Sequence, residues 1–134
     1  MREILFRGKC PKWGHWHYGE LMNTGGKISP FIPMILEIDD SGRIEAYDVD
    51  PETVGQFTGL TDKSGKRIFE GDIVVAELSN GNYRGFSWGK QKVVFSQGAF
   101  CLENNRAEQT PIRSYAPTVA FEVVGNIHDN LEDT

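Results

Sequence analysis

The stretch Gln56-Phe57-Thr58-Gly59-Leu60-Thr61-Asp62-Lys63-Ser64-Gly65-Lys66-Arg67-Ile68-Phe69-Glu70-Gly71-Asp72-Ile73-Val74 decides how the rest of the chain is read. Gly59, Gly65 and Gly71 punctuate it as turns, because glycine accepts backbone angles that other residues resist. Asp62 and Asp72 are suited to hydrogen-bond nearby backbone amides. Leu60, Ile68, Phe69, Ile73 and Val74 supply apolar anchors between the turns. No side chain in the run forms a nucleophile signature or a ligand cluster. Gly59, Asp62, Gly65, Gly71 and Asp72 therefore read as a structural signature, a scaffold for short strands.

The same pattern extends in both directions. Apolar residues recur almost everywhere with a period of two, the mark of strands. Ile4 to Gly8 and Trp13 to Leu21 read as the first two strands, the second with Trp13, His15 and His17 on one face and Trp16 and Tyr18 on the other. Asn23 to Gly26 is a turn. Met34 to Ile38 and Arg43 to Val49 form a hairpin across Asp39-Asp40-Ser41-Gly42. Asp50-Pro51 begins a helical turn, with aspartate as cap and proline at the first helical position. From the end of the signature onward come strands at Ile73–Leu78, Tyr83–Trp88, Lys92–Phe95, Ala99–Glu103 and Thr118–Val124, with Asn104–Pro117 as a loop and a tail from Gly125. The expected fold is mainly β with little helix. A small antiparallel sheet or hairpin lobe over residues 1–55 precedes an SH3-like β-barrel lobe with a C-terminal tail over residues 56–134.

Composition narrows the function. The chain has 134 residues, with 14 Lys+Arg against 19 Asp+Glu and a net charge of −5. A domain of this size buries roughly two-thirds of its unfolded surface and needs no staple. Residues 1–50 carry 6 basic and 8 acidic side chains and residues 51–134 carry 8 and 11, so neither half is a basic pole that attracts phosphate. No apolar run approaches the roughly 20 residues of a membrane span, and the charged start Met1 to Arg7 is no secretory signal. A cytoplasmic location is expected, with Cys10 and Cys101 as free thiols.

Two constellations bear on chemistry. Cys10, His15 and His17 form C-x4-H-x-H, a spacing that zinc accepts, but packing with polar tips is the stronger reading and no cofactor is expected. No phosphate-cradling loop or nucleophile motif occurs. Trp13, Trp16, Tyr18, Arg84, Phe86 and Trp88 mix aromatic and basic side chains, and these make the candidate interaction surface. On a barrel face such residues stack bases; otherwise they fill cores or a subunit contact.

The run from Gln56 to Val74 resembles the signature of the YopX-like phage protein family. Arg2–Arg7, Asp50–Val54 and Glu122–Asn130 agree with that family too. The resemblance implies a phage or prophage product in the bacterial host cytoplasm, mostly β and homo-oligomeric, with no assigned biochemical activity. The expected function is a non-enzymatic interaction or regulatory protein with a host or phage partner. A nucleic-acid-binding β-barrel is the alternative, and a metal protein or enzyme built on Cys10, His15 and His17 is the second alternative.

Overall fold

The computed structural model describes residues 3–25, 31–78, 89–112 and 119–129. Along them run strands β1 (Phe6–Lys9), β2 (Trp16–Asn23), β3 (Pro33–Ile38), β4 (Ile44–Asp48), β5 (Gly55–Thr61), β6 (Arg67–Phe69), β7 (Asp72–Leu78), β8 (Gln91–Ser96), β9 (Ala99–Glu103), β10 (Gln109–Pro111) and β11 (Val119–Asn126). A 3-10 turn, Pro51–Thr53, separates β4 from β5. The chain forms two compact units, Met1–Phe57 and Thr58–Thr134. Both are built from antiparallel pairs.

In the first unit the strand order is β4-β3-β2-β1-β5. Side chains directly opposite one another share a face. Leu21, Ile35 and Tyr47 line one face, and Glu20, Leu36 and Ala46 the other. The first is the packed face: Ile35 is fully buried there, and Val49 is nearly so. Strands approach each other closely across it. A Cβ on Gly8 would lie 2.7 Å from Cβ of Val49, and one on Gly19 would collide with the Leu36 carbonyl oxygen. Side-chain caps shape the connections. Asp39 Oδ1 accepts from Ser41 N, Ser41 Oγ and Arg43 N at 2.9, 2.6 and 3.0 Å, which closes the β3–β4 hairpin. Its carboxyl is held below the ordinary range, first by the Ser41 hydroxyl and then by the Arg43 amide.

Asp50 caps the 3-10 turn by accepting from Glu52 N at 3.0 Å. That turn is clipped to β1, because Lys9 N donates to Thr53 Oγ1 at 2.8 Å and Asp50 N donates to the Lys9 carbonyl at 2.8 Å. Asp50→Ala is expected to lower the stability of the first unit by about 1 kcal/mol. Urea titration followed by tryptophan fluorescence measures it.

In the second unit the end of β5 pairs with β6, and a five-stranded sheet runs β10-β9-β8-β7-β11. Ile68, Val74, Val93, Leu102, Ile112 and Phe121 form its core. The two-residue turn between β8 and β9 has Gln97 and Gly98 both at positive φ, the geometry that matches strand twist. The pairing leaves β10 and β11 at the ends of an open sheet among the described residues, so no closed SH3-like barrel is found.

Three local expectations need correction or comment. The second strand begins at Trp16, not Trp13. Gly14 takes φ 72° and donates to the Cys10 carbonyl at 2.9 Å, which folds residues 10–15 into a tight connection. The expected loop Asn104–Pro117 contains β10, whose Pro111 is tolerated because β10 is an edge strand. The expected strand Tyr83–Trp88 lies outside the described residues.

Candidate interaction surface

The signature residues hold backbone. Asp62 is only 7% exposed. Its Oδ1 accepts from Ser64 N and Lys66 N at 2.9 Å each, and its Oδ2 from Val123 N at 3.1 Å. Lys63 N adds a bond to the Phe121 carbonyl at 2.8 Å, so the turn after β5 is tied to β11. Burial alone would raise the Asp62 pKa, but the amides of Val123, Lys66 and Ser64 together hold it below the ordinary range. Asp72 is fully buried and accepts from Phe69 N at 2.7 Å. Gly59, Gly65 and Gly71 lie at φ 91°, 87° and 93°. These positions disfavour any residue with a Cβ.

The Cys10, His15 and His17 set is not gathered. Cys10 N donates to the His15 carbonyl at 2.8 Å, so their backbones face each other, but the His15 side chain is exposed in the connection. His17 turns to other partners. Its ring stacks on Tyr47 at 3.9 Å, and its Nδ1 sits 3.2 Å from Glu37 Oε2, which also accepts from Tyr18 N at 3.0 Å. Among the described residues no group of three or more His, Cys, Asp or Glu is placed to hold a metal. The Tyr47 stack was not foreseen, since nothing in sequence links residues 17 and 47 until the register is known.

A shallow cleft of about 370 Å³ lies in the second unit between Ile73, Lys90, Asn105 and Ile127, beside the Lys92–Glu103 ion pair of 3.1 Å. The Gln109 amide, then Lys92, holds the Glu103 carboxyl below the ordinary range. Gln109 and Lys92 engage one oxygen of Glu103 each.

Three of the six aromatic and basic candidates, Trp13, Trp16 and Tyr18, lie among the described residues. Trp16 is half-buried, with the Arg7 guanidinium 4.6 Å and the Lys9 ammonium 5.9 Å from its ring centroid. Trp13 is 68% exposed, with Lys12 5.4 Å from its ring. Arg84, Phe86 and Trp88 lie outside the described residues. Tyr18 belongs to something larger. The outer face of β2, β3 and β4 presents Tyr18, Met22, Ile38 and Ile44 to solvent, with Ile38 and Ile44 each 62% exposed. The register sets Ile38 opposite Ile44 and Met22 opposite Met34, with Leu36 between them and Ala46 beside it. An antiparallel sheet with one packed face ordinarily turns polar residues to water on the other. Here the outer face is mainly apolar as well, although it also carries Glu20 and Asp48. The signal was present in Met34-Ile35-Leu36-Glu37-Ile38, which alternates poorly.

The molecule is thus an antiparallel β protein of two units, in which Asp62 and Asp72 hold backbone amides and one sheet face exposes apolar side chains. The family model described as YopX protein matches residues 5–132, and the chain belongs to that family. Two crystal structures share its fold. Protein EF1440 from Enterococcus faecalis is 20% identical with a TM-score of 0.58, and the protein YopX from Bacillus subtilis is 16% identical with a TM-score of 0.58; each alignment covers 98% of both chains. A search of curated proteins returns no match. No helix among the described residues is long and apolar enough to cross a membrane.

Proposed function

We propose that this chain is a non-enzymatic interaction or regulatory protein of a phage or prophage, working as a homo-oligomer in the bacterial cytoplasm, with its second unit serving as an SH3-like scaffold. The carrying observation is the exposed apolar face of β2, β3 and β4. Contiguous apolar surface of this kind marks contact sites. The carboxylates with shifted or buried character support the same reading, because Asp39, Asp62, Asp72 and Glu103 are committed to backbone amides or neighbouring side chains. Charge favours a protein partner over the nucleic-acid alternative, since phosphate contacts need a basic surface.

The double variant Ile38→Ser/Ile44→Ser separates association from folding. Both side chains are exposed, so the thermal midpoint should move little. Affinity capture from bacterial lysate should recover a reproducible partner with the wild-type chain and lose it with the double variant, while light scattering reports the oligomer. Identical capture lists for the two proteins would overturn the reading. A shift of DNA or RNA on a low-salt gel would favour the nucleic-acid alternative.

A further inference from the structure

The apolar face sits on the acidic part of the molecule. Residues 16–50, which contain β2, β3 and β4, hold seven acidic side chains against Lys27 and Arg43, a net −5 equal to that of the whole chain. β4 ends the strand order of its sheet, so one of its edges points away from β3. Its side chains alternate. Ile44, Ala46 and Asp48 lie on the outer face, and Glu45 and Tyr47 on the other. A strand laid along that edge would place one set of side chains beside Ile44 and Ala46, and the alternate set beside Glu45.

Apolar groups suit the first set and cations the second. We infer that the outer edge of β4, with the apolar face beside it, takes an extended segment of a partner protein in which apolar residues alternate with Lys or Arg. This rests on the interaction-protein reading above and supplies the chemistry of the partner. Strand addition draws affinity from backbone hydrogen bonds and specificity from the alternation of side chains. The acidic surface steers a cationic segment toward the edge. Glu45 is engaged at the surface only by its own strand and the hairpin beside it, by the Tyr47 hydroxyl at 2.7 Å and by Arg43 Nε at 3.6 Å, and an exposed ion pair such as that with Arg43 is worth little.

Fluorescence anisotropy with a fluorescein-labelled peptide alternating valine and lysine tests the inference. The full chain should bind it, more weakly as salt rises. Glu45→Lys, or N-methylation of alternate peptide amides, should each weaken binding at least about tenfold. Equal affinity for a peptide alternating valine and glutamate would overturn the inference, and so would indifference to N-methylation. If Glu45→Lys instead dissolves an oligomer seen by light scattering, the occupant is a second copy and the inference falls. If the valine–lysine peptide does not bind but Ile38→Ser/Ile44→Ser still abolishes partner capture, the assigned chemistry fails while the interaction reading stands. Failure of both experiments removes both.

Discussion

Asp62→Ala is expected to destabilise the second unit by about 3 kcal/mol, because three amides lose a charged acceptor at a site largely closed to water. For a unit of this size that is a drop of roughly 10–20 °C in the melting midpoint. The loss should also change the acid limb of stability. A carboxyl whose folded pKa is depressed stabilises fully above its ordinary value of 3.8, and that contribution disappears as pH falls through the lower folded value. The wild type should therefore lose stability more steeply than Asp62→Ala below about pH 4. Urea titrations of the two proteins at neutral pH and in that acid window measure both effects, and parallel acid limbs would show that Asp62 is not held in its charged form. Asp62→Asn should fall between the two at neutral pH, since the amide keeps one acceptor oxygen.

Gly19→Ala should disrupt the first unit by a comparable amount, about 3 kcal/mol. The added methyl would meet the carbonyl oxygen of Leu36. A backbone atom in a paired strand cannot swing aside as a side-chain tip can. β2 must then move away from β3, which loosens the Glu20–Leu36 and Leu21–Ile35 pairs and admits water beside Ile35. Hydrogen exchange should show lost protection at the amides of β2 and β3. Normal protection with an unchanged unfolding midpoint would mean that the strands do not approach so closely. Gly59→Ala faces open space, so any penalty there comes from its φ of 91° alone.

Strands, turns and the architectural role of Asp62 and Asp72 were legible because each rests on local information: alternation, a glycine at a turn, a short carboxylate within reach of amides two to four residues away. The Asp62 bond to Val123 was not legible, because it joins residues 61 apart in sequence. Trp13 and His15 were misplaced for a local reason. The period-two pattern ran back through Gly14, and only its positive φ reveals the turn that ends it. Pro111 disguised β10, since proline argues against a strand unless the strand lies at an edge, and edges are set by long-range pairing. The candidate surface was half visible. Tyr18 was recognised as aromatic, but Ile38 and Ile44 look like ordinary hairpin residues until the packed face is known to be the one bearing Ile35.

The tie from Asp62 to β11 has a consequence for biosynthesis. The glycine-marked turn near the middle of the polypeptide reaches its final hydrogen bonds only when residues 121–123 are available, and β7 has β11 as its neighbour on one side. On the ribosome the unit stays incomplete until β11 has emerged, and a stalled or nicked chain lacking it leaves Asp72–Leu78 as an unprotected edge for aggregation.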